Sequence, residues 1–362
     1  MPNRLIKQFP ELFQALASEL DVGPEHVGRL EIDKKGGLRI EYQATGETTW
    51  LAWDGLSLKR LDPSRDRRLP AARLLNDAQV ELLSYRPRKR MVLLDRRNAV
   101  PVIIKAFRPS YFRGIAQKYE TAHFALTGRG IQTPDVVNYD SELACLFMLY
   151  DTGDPLHLGS DNLDHFHLLG ESIAQFQAHE SRHELVEHDA TAELAIIDQR
   201  VNRLNTANVP LPSGWSPLRD NLGAAFDQLP EPRSGLCQRD LHDKQVLQHP
   251  HFLTLLDFDL LCRADVALDP ANFLAHMRLR ELQGVRDATM KSTYVCGKRL
   301  LEGLGRNREA GFWERLRFYQ AATFARLALL YTLRPRWCAL ADDLTILAQR
   351  CLDDLWRVRA DA

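Results

Sequence analysis

Three acidic motifs between Leu236 and Leu274 set the strongest constraint on how this chain can fold. The first is Gln238-Arg239-Asp240-Leu241-His242-Asp243-Lys244-Gln245, the second Asp257-Phe258-Asp259, and the third Asp269-Pro270-Ala271-Asn272. Val246-Leu247 and Phe252 to Leu256 are short apolar runs of hairpin character, with His249-Pro250-His251 as their turn. That spacing lets loop and strand bring Asp240, Gln245 and Asp257 to one place. Asp269 stands directly before Pro270, in the order of an N-cap and a first helical residue, so a helix is expected from about Pro270 to Leu282.

Taken singly, these residues have ordinary readings. An Arg-Asp pair is commonly a surface ion pair, and two aspartates flanking a phenylalanine are commonly a turn after a strand. Taken together and in this order, they resemble the aminoglycoside phosphotransferase and small-molecule kinase family, relatives of the protein kinases. The resemblance implies a bilobal, protein-kinase-like α+β fold. It also implies transfer of the terminal phosphoryl group of a nucleotide, ATP with GTP left open, to an alcohol with the help of Mg2+. Asp240 would then be the catalytic residue that receives the hydroxyl proton, and Asp257 the metal-bridging residue. Gln245 stands where the family carries Asn and offers an amide oxygen, a hard donor suited to magnesium. Asp259 either shares the ion or solvates a loop, and Asp269 would buttress the catalytic loop from below. His242 and Lys244 fall where the family places residues near the transferred phosphoryl group, and each also reads as a solvated loop residue. Gln238 replaces the usual His. Gln245 keeps the ligand oxygen but displaces it by upwards of about 1 Å unless the backbone compensates.

The upstream sequence tests this reading independently. Val80 to Tyr85, Met91 to Leu94 and Val102 to Lys105 are three β-prone runs, with Arg86-Pro87-Arg88-Lys89-Arg90 and Asp95-Arg96-Arg97-Asn98 as turns. They look like the first three strands of a kinase amino-terminal lobe. The resemblance places Lys105 on the nucleotide phosphates and makes Glu120, in the helical stretch Ile115 to Leu126, its ion-pair partner. The first turn has no glycine. Its Arg86, Arg88, Lys89 and Arg90 offer positive charge to a polyphosphate, or form a solvated hairpin tip. Leu143 to Tyr150 reads as a buried strand leading to a hinge, where Met148 and Tyr150 would neighbour the adenine.

The chain of 362 residues has a formal charge of −1 and 45% hydrophobic residues. That balance gives no electrostatic case for nucleic acid or an anionic membrane as partner. No apolar stretch reaches spanning length, and Met1 to Asp21 lacks the core of a secretory signal. Six scattered cysteines have no zinc-like spacing and read as reduced thiols, as expected of a cytoplasmic protein.

The organisation expected is an α/β extension over residues 1–75, an amino-terminal lobe and hinge over 76–152, and a helical carboxy-terminal lobe over 153–362. In the extension, Leu5 to Leu20 reads as an amphipathic helix, and three strands follow at Val27 to Ile32, Leu38 to Tyr42 and Thr48 to Trp53. A docking surface, an intersubunit contact and a lid are open roles for it, with extension of the lobe's own sheet favoured. Phe312, Trp313, Phe318, Tyr319 and Phe324 sit at helical spacing and read as core before ligand cage. The acceptor implied is a small hydroxylated molecule: a sugar, an aminoglycoside-like compound or another metabolite. A nucleotide-binding pseudokinase is the alternative. A protein Ser/Thr kinase is disfavoured, because the interval from Asp257 to Asp269 is too short for a protein-substrate platform.

Overall fold

The structure, a computed structural model, describes residues 4–33, 36–44, 46–128, 130–306 and 308–360. The chain divides into two compact units, Asp62–Glu187 with Arg233–Glu309, and Met1–Leu61 with His188–Pro232 and Ala310–Ala362. Among the described residues, no helix is long and apolar enough to cross a membrane.

The unit that carries the acidic motifs begins with a five-stranded antiparallel sheet. Its spatial order is Val80–Arg86, Arg90–Asp95, Val102–Phe107, Cys145–Leu149 and Val136–Asp140. Alternation assigns its faces. Met91 and Leu93 on the second strand, and Ile104 and Ala106 on the third, point into one core with Leu69 and Ala72, which come from the turn segment Pro70–Asn76. Lys105, one residue out of phase with Ile104 and Ala106, therefore points to the opposite face, paired across the sheet with Val92 and Leu146. It lies within the third strand, which continues to Phe107. Helix Ile115–Leu126 follows this strand and turns Ile115, Tyr119, Ala122 and Leu126 inward.

The same unit continues into helix Leu163–Gln177, the strand pair Ser234–Cys237 with Cys262–Asp265, and the hairpin Val246–Gln248 with Leu253–Leu255. Helices Leu268–Leu282 and Met290–Leu304 complete it. Helices Leu163–Gln177 and Met290–Leu304 pack through glycine: a Cβ added to Gly170 would fall on Leu300 O, and one added to Gly303 on His167 O.

In the other unit, four strands form a meander of their own, Val27–Ile32, Leu38–Ala44, Glu47–Trp53 and Leu58–Arg60. This corrects the expectation that residues 1–75 extend the sheet of the kinase-like lobe. Each strand is paired with the next in the meander, which leaves the Val80–Arg86 sheet a separate body of hydrogen bonds. Lys34, Lys35 and Thr45, expected in its turns, lie outside the described residues. The single helix expected over Leu5 to Leu20 is two, Arg4–Gln8 and Pro10–Leu20, because Pro10 has no N–H to continue the first and is well suited to open the second. Helix Phe312–Tyr331 packs on Leu340–Ala360 and is apolar on most of its circumference. Phe312, Phe318, Tyr319 and Phe324 are buried, as the core reading of these aromatics requires, whereas Trp313 is only half-buried.

Candidate active site

The loops on either side of the hairpin Val246–Leu255 each deliver one part of the site, Asp240 before it and Asp257 with Asp259 after it. Strand Ser234–Cys237 ends in a loop whose backbone is bent at Arg239, a non-glycine residue at φ 74°. The bend is held by Asp269, whose Oδ2 accepts the Gln238 N–H and Oδ1 the Arg239 N–H, both at 2.7 Å. Asp269 is not the helix cap expected of it. The helix begins at Leu268, which puts Asp269 in the first turn, and its N-cap position, Ala267, makes no side-chain cap bond. Burial pushes the Asp269 carboxyl up to about 6, against the two N–H groups that favour its ionised form.

Asp269 is the first of a polar stripe on helix Leu268–Leu282. Asn272 Nδ2 donates to Leu241 O at 2.8 Å, the His276 ring stacks on His242 at 4.7 Å, and Arg280 Nε donates to both oxygens of Asp243 at 2.9 and 3.0 Å. Positions 269, 272, 276 and 280 recur every three or four residues and so share one helix face. The loop from Gln238 to Asp243 is thereby held at Gln238, Arg239, Leu241, His242 and Asp243. Burial lowers the His242 pKa, which keeps its imidazole neutral at physiological pH, and its Nδ1 accepts the Lys244 N–H at 3.2 Å.

Asp257 follows strand Leu253–Leu255 in a left-handed conformation, φ 62°. Gln238 reaches across to this segment: its Nε2 donates to Leu256 O and so ties the loop that carries Asp240 to the segment that carries Asp257. Lys105 Nζ donates to Asp257 Oδ1 at 2.8 Å, to Asp259 Oδ1 at 2.7 Å and to the Tyr119 hydroxyl at 3.1 Å. The Tyr119 hydroxyl in turn donates to Asp259 Oδ1 at 3.2 Å. Arg90 Nη1 lies 3.3 Å from Asp257 Oδ2 and 3.4 Å from Asp259 Oδ2. Burial alone would discharge Lys105, but Tyr119 and the two carboxylates outweigh it and hold the ammonium well above its usual range. Burial likewise opposes ionisation of Asp257, and Lys105 and Arg90 overcome it and hold this carboxyl well below the usual range. Asp259 is pushed up, by burial first and by the charge of Asp257.

A cavity of about 260 Å³ opens on this cluster. Three acids, Asp240, Asp257 and Asp259, and four cations, Arg86, Lys89, Arg90 and Arg108, line it. Six residues singled out from the sequence, Asp240, Asp257, Asp259, Arg86, Lys89 and Arg90, are thus brought together there, with Lys105 bonded to Asp257 and Asp259. Gln245 is adjacent, its Nε2 at 3.5 Å from Asp257 Oδ2. The Asp257 and Asp259 carboxylates supply hard oxygen donors that fit a divalent cation such as magnesium, whereas Gln245 turns its amide nitrogen, not its oxygen, toward Asp257.

Other expected residues lie elsewhere. Glu120 does not meet Lys105: its carboxylate pairs with His183 Nε2 at 3.1 Å and is half exposed. One residue is about 100° around an α-helix, and here it is Tyr119 that faces Lys105, so Glu120 is turned away. Arg88 is exposed at the hairpin tip, where its N–H donates to Asp66 Oδ2 at 2.6 Å. Lys244 is exposed on the turn Asp243–Gln245. Met148 is buried in strand Cys145–Leu149, and Tyr150 follows it with its N–H on Pro101 O at 3.1 Å. None of these residues is among those that line the cavity.

Sequence reasoning missed Tyr119, Arg108 and the stripe Asn272, His276 and Arg280. The stripe had a readable signal, polar residues at helical spacing after Asp269 in a helix with many apolar positions. Tyr119 had none beyond its place one residue before the expected Glu.

No protein-family sequence model matches the chain, and no curated protein matches it by sequence. Solved structures do match in three dimensions. A choline/ethanolamine kinase family protein from Mesorhizobium loti is 16% identical with a TM-score of 0.53, covering 72% of this chain and 84% of its own. An aminoglycoside phosphotransferase from Streptomyces rimosus is 16% identical with a TM-score of 0.51, covering 72% and 96%. An amicoumacin kinase, solved with AMP-PNP and Ca2+, is 15% identical with a TM-score of 0.51, covering 76% and 87%. The chain has the α+β fold of the small-molecule kinases to which choline kinases and aminoglycoside phosphotransferases belong.

Proposed function

We propose that the protein is a phosphotransferase that moves the γ-phosphoryl group of ATP to a hydroxyl of a small molecule. The observation that carries this reading is one cavity lined by Asp240, Asp257 and Asp259 together with Arg86, Lys89, Arg90 and Arg108, with buried Lys105 bonded to Asp257 and Asp259. The fold shared with small-molecule kinases, one of them solved with a nucleotide analogue and a divalent cation, supports it.

In this mechanism Asp240 accepts the proton of the acceptor hydroxyl as its oxygen bonds to the γ-phosphorus. The bond from that phosphorus to the β–γ bridging oxygen breaks, and ADP leaves. Asp257 and Asp259 would hold the divalent cation, joined by the Gln245 amide oxygen if that amide turned over, and the cation would supply charge neutralisation on the phosphates. Lys105 and Arg86 bind phosphate oxygens. Asp269 acts through the loop: it fixes the backbone at Gln238 and Arg239, and so the direction in which Asp240 points. Tyr119 and Asp259 hold Lys105, the task expected of Glu120. The adenine is expected beside Met148 and Tyr150. A nucleotide-binding protein without turnover is the second reading, favoured by the outward Glu120 and by Gln245 in place of Asn.

The test is thermal stability with magnesium and ATP or GTP, followed by a panel of hydroxylated acceptors. Nucleotide at about a hundred times its dissociation constant should add about 2.7 kcal/mol, and Asp257→Ala should abolish most of it. Phosphorylated product from one acceptor class, absent in Asp240→Ala, separates the two readings. Failure of every nucleotide to stabilise the protein refutes both.

A further inference from the structure

The acid pair is saturated by protein cations. Lys105 takes Oδ1 of Asp257 and of Asp259, and Arg90 takes Oδ2 of each, so that two formal negative charges meet two positive ones. The two cations differ in freedom. The Lys105 side chain is 7% exposed and enclosed by Tyr119, whereas that of Arg90 is 42% exposed on the cavity. The Arg90 backbone is fixed in the sheet, opposite Arg86 on one neighbouring strand and Phe107 on the other, so only its side chain needs to move. It also enters from the hairpin that, in this chain, has no glycine in its turn.

We propose that Arg90 is a displaceable counter-ion that makes divalent metal binding conditional on nucleotide. Its guanidinium occupies the carboxylate oxygens a metal would use. A divalent ion added alone would place two further positive charges beside a guanidinium in an already neutral cluster, within reach of unscreened repulsion. A polyphosphate changes the balance, because it gives Arg90 a bidentate partner of higher charge and frees Oδ2 of Asp257 and Asp259. Lys105 is the more enclosed of the two, so the cation that first yields its carboxylate oxygens is Arg90. Arg90 then serves twice, as a placeholder for the metal and as a phosphate-positioning residue. The inference rests on the phosphotransferase reading of the site.

The experiment measures Mn2+ binding to the full chain by the loss of the free-ion paramagnetic resonance signal, with and without AMP-PNP. Wild type is expected to bind Mn2+ at least about tenfold more weakly without the analogue than with it. Arg90→Ala should bind Mn2+ alone at least about tenfold more tightly than wild type, and AMP-PNP alone more weakly. Asp257→Asn added to Arg90→Ala should remove that Mn2+ site. Arg90→Lys, which keeps the charge, should retain the dependence on nucleotide. Equal Mn2+ affinity of wild type and Arg90→Ala in the absence of nucleotide overturns the proposal, and leaves the phosphotransferase reading intact if both still bind the Mn2+–AMP-PNP pair. If neither protein binds Mn2+ or AMP-PNP in any combination, the phosphotransferase reading itself falls. Circular dichroism and melting of Arg90→Ala establish that the variant is folded, and Arg90→Gln repeats the comparison with a side chain nearer in size.

Discussion

Removing the Asp269 carboxylate by Asp269→Ala should cost more stability in acid than at neutral pH. That is the reverse of what a charged hydrogen-bond acceptor suggests at first sight. The carboxyl is 1% exposed and accepts two backbone N–H bonds at 2.7 Å, from Gln238 and Arg239. Leaving both donors without a partner costs about 1–3 kcal/mol each. The folded protein, however, pushes the carboxyl up to about 6, because burial outweighs the two bonds. In the unfolded chain it titrates near about 3.9. Between these values the native state holds a proton that the unfolded state has released. The Asp269 contribution is therefore fully present below about pH 3.9 and declines as pH rises through about 6. One pKa unit is worth about 1.4 kcal/mol, which gives about 3 kcal/mol in all and about 2 kcal/mol between pH 4.5 and 7.5. Urea unfolding of wild type and Asp269→Ala at a series of pH values measures the difference. The destabilisation by the substitution should shrink by about 2 kcal/mol from pH 4.5 to 7.5. A destabilisation that is constant, or that grows with pH, would refute the claim that burial dominates at this carboxyl.

Gly170→Ala and Gly303→Ala should each lower the melting temperature. The added Cβ meets the backbone of the facing helix, and overpacking of about 1–3 kcal/mol exceeds the helix-propensity gain of about 1 kcal/mol. At Arg239, φ 74° is poorly tolerated by a β-branched side chain, so Arg239→Val should destabilise by about 1–2 kcal/mol while Arg239→Gly is accommodated; calorimetry of the two distinguishes backbone strain from lost side-chain contacts. Tyr119→Phe removes a buried hydroxyl bonded to both Lys105 and Asp259. It should cost about 1–3 kcal/mol in stability and weaken nucleotide binding, whereas Glu120→Gln should leave nucleotide affinity near wild type.

The contrast between Tyr119 and Glu120 shows where sequence reading reaches its limit. The β-prone composition of Val102 to Lys105 made it a strand, and once it is one, the two-residue period sends Lys105 to the face opposite Ile104 and Ala106. The order loop, hairpin, loop, helix likewise brought Asp240 and Asp257 to one cavity, because pairing of Val246–Gln248 with Leu253–Leu255 is a local event. The partner of Lys105 depends instead on the rotational phase of a helix inserted between distant strands. An uncertainty of one residue there is about 100°, the difference between a buried hydroxyl and an exposed carboxylate. The acid pair compensates: with Tyr119 in place of a carboxylate on the helix, Lys105 is held by Asp259, two residues beyond Asp257. A residue read as either ligand or loop solvation thereby acquires a third task. The separate sheet at Val27–Arg60 was hidden for a related reason, since alternation identifies strands but not which edge each will meet. Local periodicity therefore sufficed wherever the pairing was between sequence neighbours. It failed where a choice between two faces or two edges was made by packing across long sequence separations.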